Sequence, residues 1–216
     1  MLLTMLFCMG QSGRVPWWVL GVMLGMIAAV RRGSLVDRGV TAFGVLGLSI
    51  PQFWFALILQ LLFAVTLQWL PPSGYGGGFD CYIILPALTL GIPSAGMMAR
   101  VSRSAFLEVL PQNYIRTARA KGLKNTRVIF KHALKNSMGP VITYAGPMMA
   151  YILTGSMVVE NIFSVPGLGR LFVNSMLRTD YMMIMGVTIF LAVMIIMMNF
   201  IADVLYKVLD PRINLG

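Results

Sequence analysis

Charge is scarce in this chain of 216 residues, and acidic charge is scarcest. Only 11% of the residues are Asp, Glu, Lys or Arg, and seven residues in all are acidic. Soluble domains spend about a quarter of their residues on charge. Half that share cannot cover a water-facing surface, so with 58% of the chain apolar, lipid must solvate part of it. Cysteine is almost missing too. Cys8 and Cys81 offer neither a metal spacing nor a disulfide framework. The single histidine, His132, has no partners at catalytic or metal-ligating spacing and reads as an interfacial helix residue. No G-x-x-x-x-G-K-[ST] phosphate loop occurs, and the nearest Gly-rich run, GYGGGF, has no lysine. The N-terminus lacks the positive region and cleavage site of a secretory signal, so it reads as mature chain.

What the chain does have is apolar length. A membrane-spanning helix needs about 20 mostly apolar residues, and five segments qualify: 10–30, 40–69, 82–99, 137–159 and 182–206. The second is long for one span and holds Pro51, which predicts a kink or a broken start. The third carries Pro86 and Pro93, the fourth Pro140 and Pro147. Such interruptions survive where protein or water, rather than lipid, meets the freed backbone groups. The fold class is therefore all-α: a polytopic membrane protein of about five transmembrane helices, forming one domain over 1–216.

The net charge of +10 would suggest nucleic acid in a soluble protein, but here its placement decides. Arg31, Arg32 and Arg38 follow the first span, nine basic residues lie between 100 and 135, and Lys207 and Arg212 follow the last. Fourteen basic residues thus fall on one side and three, Arg14, Arg170 and Arg178, on the other. The positive-inside rule makes the side of fourteen cytoplasmic. The N-terminus is then outside and the C-terminus inside, with no nucleic-acid partner required. Cys8 and Cys81 both fall outside, where oxidation is possible.

The cytoplasmic segment 100–136 is longer than a turn needs. Residues 94–109 can continue the third span as a helix that Pro111 ends. Asn113 suits an N-cap for a short helix over 113–121, and Gly122 suits the left-handed residue beyond it. Ala118 and Gly122, four apart, let another surface come close. KNTRVIFKHAL then leads back to the membrane as an amphipathic piece. By composition alone this segment is also a solvated basic face near anionic headgroups.

NYIRTARAKGL, followed by HALKNSMGPVIT, resembles the cytoplasmic loop of permease subunits of ATP-binding-cassette importers. The likeness is to the branch that imports dipeptides, oligopeptides and nickel. GMIAAVRRGSLVDR, ENIFSVPGLGRLF and DVLYKVLDPRI fit the same branch in the same order, so the resemblance covers nearly all of 21–213. Aligned on Gly122, the family's Glu position holds Arg116 and its first Ala holds Thr117, while Ala118 fits. That departure is usual in the peptide branch. Members of this branch generally carry a further span and a sizeable external segment ahead of the helix that starts this chain.

The resemblance implies a type I importer permease fold and a coupling helix. Tyr114, Arg116, Thr117, Ala118, Arg119, Ala120, Gly122 and Leu123 would dock on a separate ATPase subunit, with the arginines pairing to its carboxylates. It also implies the partners: a second homologous permease, two ATPases that bind ATP and Mg, and an extracytoplasmic substrate-binding protein. By the same resemblance the chain is expected to be a transporter subunit of a bacterial inner membrane, not an enzyme, with no cofactor or metal of its own. The resemblance implies as cargo a peptide or similar small solute, or nickel. Glu160, Arg170, Arg178 and Asp180 frame an outer segment that in the family lies near the binding protein's docking surface. Asn199 and Asp203, four apart in the last span, either face a polar pathway or reach the headgroups. The 18 methionines are scattered over many faces and read as flexible packing rather than a metal conduit. A stand-alone secondary transporter or channel is the competing reading. It would show inverted repeats and mid-span charges, and neither is found.

Overall fold

A computed structural model describes residues 17–75, 81–154 and 156–209, and all of its regular elements are helical. Helix α1 (Trp17–Val30) leads through a short turn into α2 (Leu35–Ser49). Ser34 caps α2, its Oγ accepting from the Asp37 amide at 3.3 Å. Pro51 then opens α3 (Gln52–Leu59), which continues as a wider π-type turn over Gln60–Thr66. The axis turns by 104° between α2 and α3, so the long second apolar segment is a bent pair. Pro51 has no amide to continue the α2 ladder, which accounts for a break at this residue.

A 3₁₀ turn, Cys81–Ile83, opens α4 (Ile84–Val109), the longest helix of the first half. Pro93 lies inside α4, and the helix runs well past the apolar stretch into basic sequence before Pro111, as the sequence predicts. Helix α5 (Asn113–Ala120) follows, one residue short of the expected end. Asn113 is not its cap, contrary to the sequence reading. Gln112 takes the extended cap conformation and its carbonyl accepts the Ile115 and Arg116 amides, which makes Asn113 the first helical residue. A helical turn at Asn125–Arg127 and a π-type stretch at Val128–Ala133 enter α6 (Leu134–Thr154). The fourth apolar segment therefore starts earlier than 137 and does not run to 159 as one helix. Ser156 caps a new short helix, α7 (Met157–Ile162), its Oγ accepting from Val159. Helices α8 (Leu168–Leu177) and α9 (Tyr181–Leu209) complete the chain, and Asp180 Oδ1 caps α9 by accepting the Met183 amide at 3.1 Å.

Helices thus occupy all five apolar segments. By length and apolarity alone, two of the described helices can cross a bilayer, Cys81–Val109 and Tyr181–Ile201, or three if the bent pair is one span. Among the rest, α1 shows 14 described residues, and Lys135, Asn136 and Ser137 dilute the start of α6.

Helix α4 is the axis of the bundle, packing most extensively on α1 and then on α2 and α6. Small residues allow the α1 contact. A Cβ at Gly21 would lie 2.8 Å from the Met98 Cβ, and one at Gly25 would overlap Ser102 Oγ and the Ala99 carbonyl. Ser102 in turn donates to the Val22 carbonyl at 3.3 Å. Gly21 and Gly25 are four apart, the small-xxx-small spacing that brings two membrane helices close. Gly25→Leu is expected to separate α1 from α4 at a cost of about 1–3 kcal/mol or more, because the overlap is with backbone. Gly186→Leu, where nothing lies within 4 Å, should be neutral. Thermal denaturation of the detergent-solubilised protein checks the difference.

Candidate functional site

At the end of the bundle where the α1–α2 turn lies, the basic segment after α4 folds back on the helices instead of spreading into solvent. Its centre is Phe106, fully buried on α4. Met26 and Ala29 from α1, Ile115 and Ala118 from α5, and Val128, Ile129 and Ala133 from the π-type stretch pack into one cluster with it. Burying a side chain such as Ile115 contributes roughly 1.5–3 kcal/mol, so one face of a short helix suffices to hold it down. Ile115 and Ala118 are three apart and face inward together, with Leu123 packed at the cluster's edge.

This orientation corrects one part of the sequence reading. Ala118 is 7% exposed and packs beneath α5, so it cannot pair with Gly122 to receive a partner. The outward face carries Tyr114, Arg116, Thr117, Arg119 and Ala120, all exposed, with Lys121 and Gly122 beyond the helix end. Gly122 has φ +75°, the left-handed conformation expected of it, and its amide bonds the Arg119 carbonyl. Among the described residues, a Cβ at Gly122 would meet nothing within 4 Å. Ala120 and Gly122 are therefore the small residues that face outward. Six of the eight predicted residues, Tyr114, Arg116, Thr117, Arg119, Ala120 and Gly122, share this free surface, while Ala118 and Leu123 support it from beneath.

An ion pair that spacing did not reveal sits one helical turn from Phe106. Arg103 Nε donates to Asp37 Oδ1, and its Nη2 donates to Oδ2 at 3.0 Å. The same Oδ2 accepts the Gly33 amide at 2.9 Å. Asp37 is 4% exposed, and 66 positions separate it from Arg103. The only sequence signal was the Ser34-x-x-Asp37 pattern, which marks a helix start and not a distant partner.

The opposite end has a second acid-centred site. Glu160, 3% exposed on α7, accepts the Arg170 amide on Oε2 at 2.9 Å and so caps α8 from another helix. A Cβ at Gly167 would overlap this carboxylate. Arg170 Nη1 donates to the Ser164 carbonyl at 3.0 Å. Of the four charged residues expected to frame this segment, Glu160 and Arg170 come together through backbone, whereas Arg178 and Asp180 are exposed at the start of α9. Beside them lies an open cavity of about 620 Å³ lined by Tyr75, Pro166, Gly167, Leu168, Arg170, Leu171 and Asn174. Asp203 is exposed on α9, while Asn199 Oδ1 is enclosed with no hydrogen-bond donor. Cys81 is exposed, and Cys8 lies outside the described residues.

Residues 21–215 match the family described as binding-protein-dependent transport system inner membrane component. The chain belongs to that family. It is 46% identical over 196 residues to the oligopeptide transport system permease protein OppB of Haemophilus influenzae, covering 91% of this chain and 64% of that protein. It is 44% identical over 209 residues to the dipeptide transport system permease protein DppB of Bacillus subtilis, covering 97% and 67%. This inner-membrane component thus spans about two thirds of the length of the curated relatives it matches. Its fold is shared with a chain of the MetNI methionine ABC transporter in an inward-facing conformation, at TM-score 0.74 and 18% identity, over 96% of this chain and 92% of that one. Family membership favours the importer reading over the stand-alone transporter or channel.

Burial raises the Glu160 carboxyl above its ordinary value, against the lowering pull of the Arg170 and Gly169 amides. The folded α7–α8 junction therefore binds a proton more tightly than the unfolded chain. Its contribution to stability is full below the ordinary carboxylate value near 4.5 and is lost as pH rises through the raised one. Glu160→Gln, which cannot ionise, is expected to flatten the pH dependence of the melting temperature over that window. A titration of thermal stability in detergent, variant against unsubstituted protein, checks it.

Proposed function

We propose that this chain is the permease subunit of an ATP-driven importer of peptides or a similar small solute, and that α5 is its coupling helix. One observation carries the reading. A short helix is held by a hydrophobic seat on one face and presents Tyr114, Arg116, Arg119, Ala120 and Gly122 on the other, with none of the described residues covering them. A solvated basic loop needs no such seat. The names of its relatives, which are oligopeptide and dipeptide permeases, supply the substrate class.

In this reading α5 enters a cleft on a separate ATPase, which hydrolyses ATP with Mg. Arg116 and Arg119 meet its carboxylates, and Ala120 and Gly122 admit close contact. A second homologous permease completes the pathway and covers the long α9, whose apolar length is largely exposed in this chain. The basic end is cytoplasmic, and the cavity beside Arg170 faces the side from which an external binding protein delivers its cargo. Each closure of two ATPases around ATP would push α5 and turn the paired permeases from inward-open to outward-open.

Gly122→Leu is expected to leave membrane insertion intact, weaken ATPase association and abolish uptake. Lys124→Ala should be mild, since an exposed basic residue contributes less than about 1 kcal/mol. Co-purification of ATPase subunits from native membranes measures both, and wild-type association in the leucine variant defeats the coupling assignment. Orientation has its own check. With Cys8 and Cys81 replaced by serine, a membrane-impermeant thiol reagent applied to intact cells should modify a cysteine introduced at Ser73 and spare one at Lys124; the opposite pattern inverts the topology.

A further inference from the structure

We propose that Asp37 and Arg103 are a positioning pair that makes α2, and the bend at Pro51, follow the movement of α5. The inference rests on the coupling role of α5 and deepens it by naming what α5 moves.

Arg103 and Phe106 are three apart on α4, one turn of the same helix. Phe106 seats α5, and Arg103 reaches across to α2. Displacing α5 therefore displaces the segment of α4 that holds Asp37. The rest of the α2–α4 contact is of a different kind. A Cβ at Gly44 would lie 2.9 Å from the Gly96 carbonyl, and one at Gly47 would lie 3.3 Å from the Pro93 Cα. These are close backbone contacts, with the Arg100 Cβ and the Phe43 ring at their edge, and they carry no directional polar link. Among the described residues, the Asp37–Arg103 pair is the only side-chain hydrogen bond between α2 and α4.

The pair is also built to transmit direction. The Gly33 amide holds Asp37 Oδ2 from behind at 2.9 Å, Gly33 itself at φ +81°, and Ser34 caps the same turn. The carboxylate is thus fixed on its own helix, and Arg103 grips it with two donors in a planar fork. Helix α2 is pinned at this end. At its other end the axis turns by 104° into α3, whose Ala56 and Leu59 are packed with Leu85, Val159 and Phe163 at the opposite end of the bundle. A rod pinned at one end and broken at the other converts a push at α5 into a change of bend angle.

The test uses the complex purified from native membranes, its Cys8 and Cys81 replaced by serine, with spin labels on cysteines replacing exposed Leu46 of α2 and Leu61 beyond α3. Adding a non-hydrolysable ATP analogue should shift the distance between the labels in the otherwise unsubstituted chain. Asp37→Asn should lose that shift while ATPase subunits still co-purify and still bind the analogue. Arg103→Lys, which keeps the charge but not the fork, should reduce the shift and carries the test if Asp37→Asn fails to insert. A merely structural pair would lower the melting temperature and leave the shift unchanged. An undiminished shift in the inserted variants, or no shift in the unsubstituted chain, overturns the proposal. Loss of ATPase co-purification from the unsubstituted chain overturns instead the coupling role of α5.

Discussion

The close approach of α1 and α4 at Gly21 and Gly25 is the contact on which the rest of the bundle depends. In a bilayer, lipid solvates apolar side chains as well as another helix does, so helices associate where small residues let backbones touch. Ser102 fills the space over Gly25 and donates across the gap to Val22. That contact fixes the phase of α1 on α4. Met26 and Ala29, one turn further along α1, then arrive beside Phe106. The seat of α5 is therefore a consequence of packing inside the bundle. The α1–α2 turn follows α1, and this brings Asp37 within reach of Arg103.

Much of this arrangement was legible in the sequence, for definite reasons. Apolar runs located the five helical segments because lipid imposes length and composition on anything that crosses it. Pro51 announced the bend, Pro111 ended α4, and Gly122 marked the end of α5, because each residue restricts the backbone irrespective of neighbours. The facing of α5 was not legible. Small size at Ala118 fits equally well against a partner or against Phe106. Only the tertiary seat, with Ile115 three residues earlier, chose the second. The cap of α5 was off by one residue for a similar reason. Asn113 has the better capping side chain, but the extended backbone fell at Gln112.

The two acid-centred sites lay beyond reach of pattern reading for another reason. Asp37 and Arg103 are 66 positions apart, and neither is unusual in its own segment. Glu160 was visible as a charged residue in an outer segment, but its partner proved to be the backbone at the start of α8, which no side-chain motif encodes. Spacing identifies residues on one face of one element. It says nothing about which backbone amide a carboxylate will meet.

A chain with seven acids uses at least two of them, buried, as fasteners at opposite ends of the bundle. The two differ in what they fasten and in how they charge. Asp37 accepts a guanidinium as well as an amide, so its charge is neutralised where it sits and it can tie two long helices. Glu160 accepts on Oε2 while its Oε1 is enclosed without a partner, and burial lifts its proton affinity. A compensated pair resists separation at any pH at which both groups are charged. An uncompensated carboxylate under a glycine loop is held mainly by backbone amides. The two ends of the bundle are therefore fastened by different chemistry.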